Sequence, residues 1–157
     1  MNSESNEIKN KVKENSEKLM KLGSILAKNQ SSYKIEEKKS KEYWQNRIEE
    51  LQKYNESSIA YYNQVQNMMN LIDKEKGDRF LLQISKFHQL GTELKKIMQE
   101  IEETPSIINS KDKQQSQWSK NVKEKLIEIS TNCLEHEKTM NLNFRKFYDE
   151  EVKRILE

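Results

Sequence analysis

One proline and three glycines in 157 residues leave almost nothing in this chain to stop a helix. Proline removes a backbone donor and clashes with the preceding turn, and glycine is the weakest ordinary helix former. Only Gly77, Gly91 and the stretch around Pro105 interrupt the pattern. Over this background, apolar side chains recur at alternating gaps of three and four, the period that gathers them on one helix face. The predicted fold is all-α, with long helices forming an extended coiled coil or a helical hairpin and no sheet.

Composition narrows the shape. Hydrophobic residues make up 33% of the chain and charged residues 34%, against roughly 45–50% and about 25% in ordinary soluble domains. Such a chain is expected to be too poor in apolar groups for a globular core, and so to form a rod that needs partner helices. Its 28 basic and 26 acidic residues nearly cancel. The resulting +2 net charge points to neither nucleic acid nor an anionic membrane as a partner. One cysteine, Cys133, excludes an internal disulfide framework and fits a reducing compartment. No apolar run approaches the roughly 18 residues of a membrane span. Met1-Asn2-Ser3-Glu4-Ser5 lacks the apolar core of a signal peptide. The expected location is cytoplasmic.

Four segments follow from the pattern. Residues 1–32 form a thin N-terminal helix, with Ile8, Val12, Leu19, Leu22 and Leu26 sharing a face and Gly23 weakening it. Residues 33–103 read as one long central coiled-coil helix, about 105 Å at about 1.5 Å per residue. Its first stripe is Trp44, Ile48, Leu51, Asn55, Ser58, Tyr62, Val65, Met69 and Ile72. Near Gly77 the phase slips by one residue, and the stripe resumes as Phe80, Ile84, Phe87, Gly91, Leu94, Met98 and Ile101. One inserted residue can be absorbed by local winding, so a break is not required there. Residues 104–112 break the helix, because Pro105 suits a first helical position and Thr104 can cap it. Residues 113–157 form the C-terminal helix, with Trp118, Val122, Leu126, Ile129, Cys133, His136, Met140, Phe144 and Phe147 as its stripe. That stripe drifts late, since Phe144, Tyr148, Val152 and Ile155 are mostly four apart.

The stripe residues from Trp44 to Phe147, apart from Ser58 and Gly91 and without Tyr148 or the residues after it, are the expected partner-helix interface. Asn55 reads either as a register-fixing seam amide or as a position where nothing apolar was needed. Gly91 marks either close approach of a partner helix or a weak point. Cys133 and His136 are three apart on one face, and two copies together would present four soft ligands to zinc. Read within one chain, they are a small apolar thiol and a seam histidine. No phosphate-binding glycine loop or nucleophile motif occurs, and the carboxylates alternate with lysines as on an exposed helix face. No enzymatic activity and no cofactor are expected. Aromatics among lysines suggest base stacking, but acidic residues interleave them. Lys38-Lys39, Lys41, Lys120, Lys123 and Lys125 are the nearest candidates for a lipid-facing basic surface.

Three patches carry a family resemblance. Lys113-Gln114-Gln115-Ser116-Gln117-Trp118, then Lys123-Glu124, then Glu135-His136-Glu137-Lys138-Thr139-Met140 resemble the C-terminal helix of the muted family. That family supplies a subunit of the biogenesis of lysosome-related organelles complex 1. Glu36-Glu37-Lys38-Lys39 resembles the start of its central helix. The resemblance implies a non-enzymatic coiled-coil subunit of an elongated complex sorting cargo from endosomes toward lysosomes. Its partners would be other small coiled-coil proteins in a hetro-oligomer, peripheral on endosomes. The other classes left open are a scaffold or tether of a ciliary, kinetochore or vesicle assembly, and a lipid-binding helical module.

Overall fold

The computed structural model describes residues 3–29, 41–103 and 113–157, and the side chains of residues 5–29, 41–103 and 120–157. The chain is all-α: α1 Ser3–Lys28, α2 Lys41–Ile72, α3 Lys74–Glu103 and α4 Lys113–Phe147. After α4 come a π-helical turn, Tyr148–Val152, and α5, Lys153–Leu156. The expected break at 104–112 lies outside the described residues. Among the described residues there is no strand, and no helix is long and apolar enough to cross a membrane.

The expected continuous helix over 33–103 is divided at Asp73, and the chain reverses there. Lys95 Nζ donates to Gln52 Oε1 at 3.4 Å, and the Tyr62 and Phe87 rings lie 5.6 Å apart, so α2 and α3 run antiparallel. Asp73 serves both helices. Its N–H donates to Met69 O at 2.7 Å, closing α2, and its carboxylate accepts from Lys76 N at 3.3 Å, capping α3. An aspartate three residues before the amide it accepts from is a regular N-cap arrangement. The phase slip read near Gly77 is the trace of this turn. A hairpin re-sets the facing positions, whereas a straight helix would have had to wind them in.

α4 returns antiparallel to α3, with His136 Nε2 donating to Gln83 O at 2.8 Å. It lies parallel to α2, with Tyr62 Oη donating to Asn141 Oδ1 at 2.8 Å and Tyr54 Oη donating to Glu137 Oε1. α1 runs antiparallel along α2, held by Asn29 Nδ2 to Ser57 Oγ at 2.7 Å and by Gln64 Nε2 to Asn15 Oδ1, and it reaches α5. The molecule is therefore a three-helix core with a fourth helix laid over one half.

Two apolar clusters fill it. Near the Asp73 turn, Val12 and Leu19 of α1 join Tyr54, Tyr62, Val65, Met68, Phe80, Phe87, Met140 and Val152. At the other end, Trp44, Ile48, Leu51, Leu94, Ile101, Leu126, Ile129 and Cys133 close a cluster with no α1 residue in it. This corrects the expectation drawn from composition. A chain at 33% hydrophobic does close a core when its apolar stripes face one another across the bundle.

The late drift of the C-terminal stripe also has its cause here. Through the π turn the helix carries more residues per turn. Gaps of four therefore keep Tyr148 packed on the core and Val152 buried within it.

Candidate functional site

The expected partner-helix residues meet one another inside the chain. Trp44, Ile48, Leu51, Tyr62, Val65, Met69, Phe80, Ile84, Phe87, Leu94, Met98 and Ile101 are buried, as are Val122, Leu126, Ile129, Cys133, Met140 and Phe147. Asn55, Ile72, His136 and Phe144 are half-buried. Trp118 lies outside the described side chains. The faces these stripes contact are the chain's own.

Sequence reading missed Tyr54, Met68, Leu90 and Ile97, all buried. Each flanks the narrow stripe by one position, and that was the available signal. A coiled-coil seam is two positions wide per heptad, whereas a helix packed between two neighbours needs a third. The wider stripe marks a bundle.

The polar groups of the interior are arranged for packing. The His136 ring stacks on Phe87 at 6.4 Å and 18° while holding the Gln83 carbonyl. Beside it, the buried Cys133 thiol is pushed up to about 12 by burial, then by the negative charges of Glu137 and Glu93. Burial also raises Tyr62, followed by Glu137, Tyr54 and Tyr61, with the Asn141 bond working the other way. Tyr61 is raised by burial. A thiol held protonated is neither a nucleophile nor a ready metal ligand. Among the described residues no three His, Cys, Asp or Glu side chains converge as a metal site would require.

The outer surface carries shallow grooves between helices. One of about 340 Å³ lies between α3 and the end of α4, lined by Lys76, Arg79, Phe80, Lys146, Phe147 and Glu150 among others. Its cations are largely neutralised locally. Lys76 lies 3.3 Å from Glu151 and 5.7 Å over the Phe147 ring, and Arg79 pairs with Glu75. A second, of about 520 Å³, lies along α2 and α3 above Gly91, with Asn55, Ile59, His88 and Lys95 around it.

What stands out on the surface is apolar. Ile127 (57% exposed) and Leu134 (39% exposed) sit seven residues apart on α4, on one face. The same seven-residue line continues through Asn141, which holds Tyr62, to Tyr148, which packs on the α1 cluster. Met20, Leu82 and Leu142 are also left outside the two cores.

No known protein family, no curated protein and no solved structure matches this chain. The geometry of the bundle therefore carries the functional argument.

Proposed function

We propose that this chain is a non-enzymatic helical subunit of a multi-protein complex that binds partner helices along the outside of a preformed bundle. The observation that carries the reading is the Ile127–Leu134 pair. Two large aliphatic side chains stay in water at heptad spacing, in line with Tyr148 beyond the end of α4, which packs on the α1 cluster. Large apolar groups left at the spacing of a helix seam mark a surface meant to be covered. The groove between α3 and the end of α4 fits the same view, because its Lys76 and Arg79 are paired with Glu151 and Glu75 and not turned together toward a substrate.

The trafficking context is a further step, and the sequence patches alone support it. The Glu135–Met140 patch serves the fold in this chain: His136 holds α3 and Glu137 accepts from Tyr54. As a member of an endosome-to-lysosome sorting complex, the chain would act as a scaffold, cytoplasmic and peripheral to endosomes, with small helical proteins as partners and no cofactor.

The test is a tagged purification from the native cell with identification of everything retained. Stoichiometric recovery of small helical proteins together with endosomal markers supports the reading. Recovery of ciliary or kinetochore components would move the chain to another scaffold. Recovery of the chain alone, with binding to anionic vesicles, would replace the proposal with a lipid-binding module.

A further inference from the structure

α1 is attached differently from the other three long helices. Among its described side chains it buries Val12 and Leu19, whereas α2 and α3 each bury ten residues. Leu22 and Leu26 are only half-buried, and Ile8, Met20 and Ile25 are exposed. The Ser16 hydroxyl is buried without a hydrogen-bond partner among the described residues. The helix ends at Lys28, beside Ser57, so the second core cluster closes without it.

The seat beneath α1 is unusually rich. Gly23 rests on the Tyr61 ring, where a Cβ would stand 3.6 Å from Cε2. Tyr61 meets Tyr62 at 5.3 Å and Phe144 at 6.5 Å, and Phe144 meets Tyr148 at 6.1 Å. Val152, Ile155 and Leu156 extend the same cluster. Aromatic groups of this kind form the anchoring centres of protein interfaces. The α4 edge of this seat does not stop where α1 stops. The line through Tyr148 and Asn141 runs on to Leu134 and Ile127, which are exposed.

We propose that α1 is a displaceable strap occupying, within its own chain, the seat for a partner helix. That partner is an amphipathic helix longer than α1. It would carry aliphatic residues at the seven-residue spacing of Val12, Leu19 and Leu26, and a small residue over Tyr61. Displacing α1, it covers Tyr61, Phe144 and Tyr148 and continues over Leu134 and Ile127. The proposal rests on the reading of this chain as a helix-binding subunit and names the site through which it binds.

The test uses the full chain and a fluorescent synthetic peptide of residues 3–29. In the double variant Val12→Asp/Leu19→Asp, the tethered α1 can no longer dock. This variant binds the peptide at least about 100-fold more tightly than the wild-type chain, whose own α1 competes at an effective concentration in the mM range. Adding Tyr61→Asp to the double variant abolishes the gain. Equal peptide binding by wild type and double variant overturns the proposal, and so does loss of helicity throughout the double variant, which would make α1 integral to the fold. Hydrogen exchange on the unmodified chain gives an independent readout: α1 amides exchange at least about 100-fold faster than those of Leu90–Ile101. Equal protection of the two overturns it.

Failure of this proposal and failure of the subunit reading are separable. Partners recovered equally by wild type and by Tyr61→Asp would reject the seat and keep the subunit. Peptide capture by the double variant with no partner recovered from cells would keep the strap and reject the subunit.

Discussion

Asn55 lies over Gly91, its amide filling the space a side chain would need: a Cβ at Gly91 would stand 2.9 Å from Asn55 Nδ2 and 3.1 Å from its Cγ. Asn70 and Gly77 repeat the arrangement nearer the turn, where a Cβ would fall on Asn70 Oδ1 and 3.1 Å from the Asn70 backbone nitrogen. Both glycines let α3 approach an asparagine of α2. Of the two sequence readings of Gly91, close approach is the one the fold uses, though the neighbour belongs to the same chain.

The two glycines differ in what must yield. At Gly91 the obstacle is the end of a half-buried side chain beside an open groove, and alanine gains about 1 kcal/mol of helix propensity. Gly91→Ala should therefore change stability by less than about 1 kcal/mol, and Asn55→Ala/Gly91→Ala should exceed wild type by about that amount. At Gly77 a backbone atom stands in the way, and overpacking of this kind costs about 1–3 kcal/mol. Gly77→Ala should lower the urea midpoint, while Gly91→Ala should leave it nearly in place.

Substitutions in the stripes report on folding before they report on binding. Leu51 and Val65 are buried within the chain, so Leu51→Asp or Val65→Asp strands a carboxylate without a partner. Loss of at least about 3 kcal/mol is expected, a large share of the 5–15 kcal/mol that holds a typical domain. Circular dichroism should show thermal unfolding far below wild type. The exposed Glu124 is the control, and Glu124→Ala should stay within about 0.5 kcal/mol.

The bond from Tyr62 to Asn141 joins α2 to α4 at 2.8 Å. Tyr62→Phe keeps the ring contacts with Phe80 and Phe87 and removes the donor alone. A loss of about 0.5–1.5 kcal/mol is expected, since a single hydrogen bond contributes about that much. A double-mutant cycle with Asn141→Ala should return most of this as coupling. Additive losses would mean the two side chains act separately.

Alkaline pH should weaken the fold. Cys133 titrates near 9.0 ordinarily and at about 12 in the bundle. An acid whose value is raised by folding leaves stability intact below its unfolded value and removes it as pH climbs toward the folded one. Stability should therefore hold to about pH 9 and fall between there and about pH 12, with Tyr62 and the half-buried Tyr61 adding their share above 10.0. At pH 8 an alkylating reagent should modify Cys133 only as fast as the bundle opens. Rapid modification under native conditions would place the thiol outside the core.

How much of this was legible varied with the range of the interaction responsible. Helices and their facing residues could be read because Trp44–Ile72 and Phe80–Ile101 keep a local period. The reversal at Asp73 could not, since no proline or left-handed glycine marks it. A single aspartate closes one helix and caps the next, and alone it is indistinguishable from an exposed helix residue. The consequence was larger than one residue. Reading 33–103 as straight left the stripes in need of other chains, while the hairpin lets them satisfy each other. The π turn was half legible: the four-residue gaps from Phe144 to Val152 were visible, but their cause lies in the backbone.

Ser58 sits in the α2 stripe fully buried, and its hydroxyl has no hydrogen-bond partner among the described residues. Leu51 and Val65, seven residues to either side of it, are apolar and also buried. A buried hydroxyl without a partner costs about 1–3 kcal/mol, and alanine is the better helix former. Ser58→Ala removes the unpaired group and leaves a space only one oxygen larger, so the variant should be about 1–2 kcal/mol more stable than wild type. The urea midpoint checks this directly. A loss of stability would show that the hydroxyl is satisfied in solution, most simply by a water held between α2 and its neighbours, and that this position of the seam is polar by requirement.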